Sequence, residues 1–438
     1  MDSDTTPPRP ARAAHNPRIL LKALFDEAVT AVSAERCVPL HIDRAPAAGR
    51  TIILAMGKAA AAMTAVAAKK LSGPVEGLVV TREGHAGPLY PLPRGVELID
   101  AGHPVPDGQS MAAATRALEL VSSLSARDRV LALVSGGGSA LLTLPLPGVT
   151  LADKQAVTQA LLRSGATIGE INSVRKHLSA IKGGRLAVAA APAHVTTLII
   201  SDIPGDDPSF VASGPTVADH TTLEAAREIV ARYGIDLPAN VTTALNDSAS
   251  ETPPADAAGL ADGDVRVIAR ARDALLAARR LAEERGYAVT DLGDHIEAEA
   301  RYLGAEHAML AKDLARNGQP HIILSGGEAF VRVANPNGRG GRNLEYLLGL
   351  ALALDGTPRI HAIACDTDGI DGTEDNAGAI IAPDTLARAA ALGLDARAML
   401  DANDAYGFFA ALGDLVVTGP TRTNVNDLRA ILIEHGDA

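Results

Sequence analysis

Beyond about residue 50 the chain alternates short apolar runs with alanine-rich helical stretches, and few architectures accept that pattern. The clearest strand-length runs are 51–55, 78–81, 130–134, 195–200, 265–269, 321–324 and 360–364. Helix-length stretches lie between them, among them 59–71, 109–124, 272–285 and 342–354. A strand with no polar face must be covered on both sides, and a helix following each strand supplies that cover. The pattern predicts an α/β fold with a mainly parallel sheet between helical layers. In such sheets ligands bind beyond the carboxyl ends of the strands, so the loops after strands are where function is sought.

The 438 residues are 47% hydrophobic, enough for a large core and, at about 150 residues per domain, for two or three domains. A stretch from 246 to 264, rich in Asn, Asp, Ser, Pro and Gly and without apolar period, marks the expected boundary. Residues 1–17, with Pro7, Pro8 and Pro10, read as a disordered tail that lacks the apolar segment of a signal peptide. The net charge of −12 argues against nucleic acid and anionic membranes, so an anionic ligand would need a local cluster of cations. No apolar run approaches the roughly twenty residues of a membrane span. Two cysteines, Cys37 and Cys365, offer neither a disulfide framework nor a thiolate metal site, which suits a reducing cytoplasm.

Two strands end in nearly the same turn, Ser135-Gly-Gly-Gly-Ser139 and Ser325-Gly-Gly-Glu328. Glycine tolerates positive φ and carries no side chain, so several backbone N–H groups can converge on one anion. Ser135, Gly136, Gly137, Gly138 and Ser139 are therefore expected to cradle phosphate. The turn lacks the Lys and Ser/Thr of a Walker loop, and Leu141 stands where a dinucleotide fingerprint needs Gly or Ala. Glu328 would repel a phosphate and suits a hydroxyl or a metal-bound water. Lys58 sits at a strand-to-helix corner, where the helix dipole disfavours a cation unless an anion is shared.

On a helical wheel over 171–182, Arg175, Lys176 and Lys182 share a face with Asn172 and Ser179, a cationic face without acids that suits phosphate or carboxylate. His177 lies off that face, in a packing position. Acidic loops follow two strands, with Asp202 and Asp206 in 201–207 and Asp366 and Asp368 in 366–372. Short Asp clusters are the usual ligands of hard cations such as Mg²⁺. The run Asn337-Gly-Arg-Gly-Gly-Arg-Asn343 leads into a helix, so Arg339, Gly341, Arg342 and the helix amides are expected to address one oxyanion.

In order along residues 18–432, these stretches resemble the glycerate 2-kinase family, whose carboxy-terminal portion is the MOFRL domain. The matching motifs include Met56-Gly-Lys-Ala59, Gly102-His-Pro-Val-Pro-Asp107, Ser201-Asp-Ile-Pro-Gly-Asp206, Leu324-Ser-Gly-Gly-Glu328, Gly340-Gly-Arg-Asn343 and Thr418-Gly-Pro-Thr421 with Thr423-Asn-Val-Asn426. The resemblance implies a Rossmann-like domain over 18–250, a smaller α/β MOFRL-type domain over 265–436 and an active site in the cleft between them. It implies phosphorylation of D-glycerate at the 2-hydroxyl with ATP and Mg²⁺, and is compatible with a homodimer. By that resemblance Lys58 and Arg342 correspond to the basic residues of the family's active site. Asp202, Asp206, Glu328, Asn343, Asp366 and Asp368 are the candidates for substrate or metal contact. Two residues depart from the family pattern: Leu344 replaces a Gln, and Arg422 stands where Gly is common. NAD(P)H-dependent reduction of hydroxypyruvate, the family's older label, and non-catalytic binding of a phosphorylated metabolite are the alternatives.

Overall fold

The computed structural model describes residues 16–45 and 47–436, which two six-stranded sheets organise. The first holds β1 (Thr51–Met56), β2 (Val75–Thr81), β3 (Val96–Asp100), β4 (Arg129–Ser135), β5 (His194–Ile200) and β6 (Asp264–Ala269), all parallel, in the order β3-β2-β1-β4-β5-β6. Connections diverge where this order reverses, between β1 and β4, and leave a crevice at the carboxyl ends. Every residue of β1 is buried, as an apolar strand at the centre of a covered sheet must be.

The second sheet holds β7 (Ala288–Asp291), β8 (His321–Ser325), β9 (Ile360–Asp366), β10 (Gly378–Ile381), β11 (Leu415–Val416) and β12 (Asp427–Ile433), in the order β11-β10-β9-β12-β8-β7. Only β7 and β8 pair in parallel. The expectation of a mainly parallel sheet therefore describes the first sheet and not the second, because β12 inserts antiparallel between β9 and β8. Its sequence conceals it, since Arg429 interrupts the apolar run. Yet Arg429 is 1% exposed, with Nη1 donating to the Gly326 carbonyl at 2.9 Å and the guanidinium 5.4 Å from the Tyr346 ring centre.

The boundary between the halves also differs from the expected one. β6 follows the polar 246–264 stretch yet pairs with β5, so that stretch is a crossover within the first sheet. Of the segment read as a tail, residues 1–15 lie outside the described residues, while Asn16 and Pro17 begin a helix, Pro17–Ala31. The Asn16 side chain accepts the Arg18 N–H at 3.0 Å, and Pro17 has no amide left to satisfy. This helix packs against β9, β12 and the helix Ala271–Glu284, all in the carboxy-terminal half. One apolar core, including Leu24, Phe25, Leu133, Leu324, Ile363 and Leu428, is shared by both sheets. A helical lobe with its own small core is built from the connections after β4 and β5, and it walls one side of the crevice. No helix among the described residues is long and apolar enough to cross a membrane.

Candidate active site

Where the first sheet reverses, the loops after β1 and β4 interlock. The Lys58 N–H donates to the Gly136 carbonyl at 2.9 Å and the Ala59 N–H to Ser135 Oγ at 3.0 Å. The site itself demands glycine at 136, because a Cβ there would lie 1.9 Å from Asp202 Oδ2 and 2.5 Å from Asn424 Nδ2. At Gly137, whose φ is +84°, a Cβ would lie 3.1 Å from His103 Nε2. The glycines expected to cradle phosphate thus also admit the protein's own carboxylate, amide and imidazole to the turn.

Lys58 reaches the carboxy-terminal half and forms an ion pair with Asp368 in the loop after β9. Arg342, the first residue of the helix Arg342–Leu354, is held by three carboxylates: Nε on Asp427 Oδ1 at 2.8 Å, Nη1 on Glu328 Oε1 at 2.9 Å and Nη2 on Asp366 Oδ2 at 2.9 Å. Asp366 also accepts the Asp368 N–H at 3.0 Å. One cation from each half of the molecule is therefore anchored on a single short acidic loop.

The charges follow from these contacts. Burial opposes the Lys58 charge, but Asp368 and then Asp366 outweigh it and raise its pKa. Burial likewise opposes ionisation of Asp368, but Lys58 outweighs it and leaves that carboxyl below its usual value. For Arg342, Asp427, Asp366 and Glu328 overcome the effect of burial. Asp366 is pushed well up, first by burial and then by Asp368, and burial raises Asp202 to about 6 against partial relief from Lys58.

Asp202 yields a pH-dependent prediction. Its folded pKa lies above the ordinary 3.8, so the stability contributed by its protonated form is complete below about pH 4 and lost as the pH rises to about 6. An Asp202→Asn variant has no proton to lose. Its stability relative to the parent is expected to rise across that window by up to about 3 kcal/mol, at about 1.4 kcal/mol per pKa unit. Urea unfolding of both proteins at pH 4 and pH 7 measures the difference, and an equal difference at the two pH values would assign Asp202 an ordinary pKa.

The basic face does not assemble as expected. The helix Ile168–His177 ends at His177, so a helical wheel carried to 182 overruns it. Lys176 is buried against Asp219 at 2.9 Å, with Nζ 4.7 Å from the Phe210 ring centre. Lys182 is fully buried and donates to the carbonyls of Ser139 at 2.9 Å and Leu142 at 3.0 Å. Of the three cations Arg175 alone lines the cleft, a space of about 420 Å³ bounded by Ser139, Asn172 and Asp202 on one side and Glu328 and Phe330 on the other. His177 packs against the Ser173 carbonyl and Glu251, at 2.8 and 3.0 Å.

The second glycine-rich turn and the arginine loop also serve packing. A Cβ at Gly327 would lie 2.4 Å from the Ile296 backbone. Arg339 turns away from Arg342 to pair with Glu374 at 2.9 Å and stack 4.3 Å over Tyr406. The helix amides expected to receive a ligand are taken by Asp371, whose two oxygens accept the N–H groups of Asn343 and Leu344 at 3.0 Å each. Gly341 is needed because a Cβ would lie 2.3 Å from Asp371 Oδ1. The Asn343 side chain is buried on Asp427 at 2.7 Å, and Asp206 lines a separate small recess with Asp294 and His295. Of the two departures, Leu344 is buried in the core, and Arg422 holds φ +62°, the left-handed conformation a glycine would adopt freely, with its guanidinium 5.5 Å from the Tyr90 ring centre.

Sequence reasoning assigns no individual role to Asp427, Asp371, Asn424, Asn426 or His103. Asn424 Nδ2 donates to Asp202 Oδ2 at 2.9 Å and Asn426 Nδ2 to the Asp202 carbonyl at 2.6 Å, fixing that loop. Burial and the Lys58 charge hold His103 down to about 4, so its ring is neutral, and its Nδ1 is buried without a hydrogen-bond partner. The resemblance signals His103 through 102–107 and Asn424 and Asn426 through 423–426, Asp371 lies inside the acidic loop 366–372, and Asp427 has no signal. Among the described residues no group of three or more His, Cys, Asp or Glu is arranged to hold a metal. The oxygen donors Asp366, Asp368 and Glu328 nonetheless suit Mg²⁺, which commonly takes one or two carboxylates and completes its shell with substrate phosphates.

A parallel sheet whose strand order reverses, joined to a mixed sheet by the Lys58–Asp368 ion pair and a shared apolar core, defines a two-sheet α/β protein with a charged cleft between its halves. Residues 20–246 match a family described as a domain of unknown function, DUF4147, and residues 321–427 match the MOFRL family. The D-glycerate 2-kinase of Thermotoga maritima is 40% identical, over 86% of this chain and 89% of its own. The chain belongs to the glycerate 2-kinase family. A crystal structure of glycerate kinase from Thermotoga maritima superposes with a TM-score of 0.84 at 38% identity, covering 95% of this chain and 99% of that one. A protein of Agrobacterium vitis, 52% identical over 95% of this chain and 94% of its own, is provisionally named a hydroxypyruvate reductase.

Proposed function

We propose that this protein transfers the γ-phosphoryl group of ATP to the 2-hydroxyl of D-glycerate, giving 2-phosphoglycerate and ADP, in the cytoplasm. The observation that carries this reading is the convergence of Lys58 and Arg342, one from each half, on the neighbouring carboxylates Asp368 and Asp366 beside the cleft. Relatives named for glycerate phosphorylation supply the substrate.

Phosphoryl transfer asks a protein for positioning and charge neutralisation rather than covalent chemistry. Lys58 and Arg342 exchange carboxylate partners for phosphate oxygens and hold the moving group, while the glycine turn at 136–138 lets it approach the backbone closely. Asp202, fixed by Asn424 and Asn426 in the cleft wall, holds the acceptor hydroxyl and receives its proton. Mg²⁺, when bound with the nucleotide, neutralises phosphate charge, and Asp366, Asp368 and Glu328 are the residues that would hold it.

Incubation with D-glycerate, ATP and Mg²⁺, followed by phosphorus NMR, is expected to yield 2-phosphoglycerate. No phosphoglycerate, together with NADH oxidation on hydroxypyruvate, would replace this reading with the reductase suggested by the Agrobacterium name. Against that alternative, the loop after β1 is Gly57-Lys-Ala-Ala60 rather than a glycine fingerprint. Lys58→Ala is expected to lower kcat at least about a hundredfold with the fold intact by circular dichroism, as when one preorganised charge is removed. Near-normal turnover would take Lys58 out of the site.

A further inference from the structure

Lys154, Arg175 and Lys182 lie close enough together to repel one another, and none of them has a carboxylate partner within 4.0 Å among the described residues. Burying unpaired charge is costly, and the two lysines offset the cost with backbone carbonyls. Burial, with the neighbouring cations, pushes both lysine pKa values well below the usual. Backbone carbonyls take up both amino groups, Lys154 Nζ donating to Leu178 at 3.3 Å and Lys182 Nζ to Ser139 at 2.9 Å, Leu142 at 3.0 Å and Ala212 at 3.3 Å. The Arg175 guanidinium, which stays charged at any physiological pH, has no such carbonyls around it.

Arg175 is therefore the cation of this group that the protein leaves unmatched: among the described residues its one side-chain hydrogen bond is long, Nη1 to Asn172 Oδ1 at 3.5 Å. It lines the cleft together with Ser139, Asn172 and Asp202. Lys58 and Arg342 already belong to the phosphoryl group, so the cleft holds one cation more than that transfer needs. The planar fork of a guanidinium matches a carboxylate in two parallel hydrogen bonds.

We propose that Arg175 binds the carboxylate of the acceptor, making the protein selective for 2-hydroxy acids over uncharged polyols and directing transfer to the hydroxyl next to that carboxylate. This rests on the phosphotransfer reading above. In glycerate the 2-hydroxyl is on the carbon that bears the carboxylate and the 3-hydroxyl is one carbon further. A carboxylate fixed on Arg175 brings the nearer hydroxyl to Asp202, and a freed one lets the farther hydroxyl compete.

The test uses Arg175→Met and Arg175→Lys in the full chain, with D-glycerate and its uncharged amide, glyceramide, as acceptors. For Arg175→Met, KM for D-glycerate is expected to rise about a hundredfold, as when one partner of a desolvated charge pair is lost, with KM for ATP within about threefold. The preference for glycerate over glyceramide is expected to collapse, phosphorus NMR to reveal 3-phosphoglycerate beside the 2-isomer, and the lysine variant to recover part of the preference. The thermal midpoint of the unliganded methionine variant is expected to rise, since an unpaired cation has been removed from a partly buried site. An unchanged KM for glycerate overturns the assignment, and so does a rise confined to ATP, which would give Arg175 to the nucleotide. If the parent protein makes no phosphoglycerate, the phosphotransfer reading falls and this assignment with it.

Discussion

Arg342→Ala is expected to lower kcat by two to three orders of magnitude and to destabilise the fold at the same time. The first effect is the one measured when a single preorganised electrostatic contact to a transition state is deleted, roughly a hundred- to a thousandfold. The second comes from what the arginine leaves behind. Asp427 is fully buried and Asp366 nearly so, and breaking a buried ion pair from one side costs about 3 to 5 kcal/mol. Glu328, half exposed, adds little. Arg342→Lys separates the two effects, since it keeps a charge for the carboxylates but cannot reach three of them at once. It is expected to recover most of the urea midpoint and little of the turnover. Full turnover in the lysine variant would show that charge alone suffices and that the threefold grip on the guanidinium is incidental.

Gly136→Ala is expected to lower activity at least about a hundredfold without deleting any functional group. The added methyl would lie 1.9 Å from Asp202 Oδ2, closer than any real contact permits, so Asp202 or the turn must move and the Asn424 contact must break. A displacement of about 1 Å at reacting groups costs on the order of a hundredfold. The stability loss should be modest, about 1 to 3 kcal/mol as for other overpacked sites. Steady-state kinetics beside a thermal melt measure both, and a fully active alanine variant would mean the turn relaxes freely.

How much of this was legible in the sequence depended on whether a residue's role is set locally. Strands such as β1 and β4 declare themselves through uninterrupted apolar runs, and Lys58, Asp202 and Asp368 through their place just after such runs. Lys176 was misread because helical spacing tells which face a residue occupies and not what it meets, and its partner Asp219 is 43 positions away. Lys182 was misread because the helix had already ended. The helix at Arg342 invited an anion, and the protein supplied its own in Asp371, 28 residues downstream of Asn343. Asp427 escaped notice because it opens a strand whose central Arg429 breaks the apolar signature.

The helix Pro17–Ala31 precedes both sheets in the chain, yet much of its docking surface is made from residues 391 to 396 positions further along. Thr423 Oγ1 donates to the Val32 carbonyl at 2.7 Å, Arg18 bonds Asp414 at 2.9 Å, and the helix packs against β12. Contacts of such long sequence separation form late, so the nascent amino-terminal half waits with an apolar face uncovered until β12 is made. Lys58 meets Asp368 only once that docking is achieved. A chain without β12 would lack both that docking surface and Asp427, one of the carboxylates that hold Arg342, so the centre cannot assemble before β12 is in place.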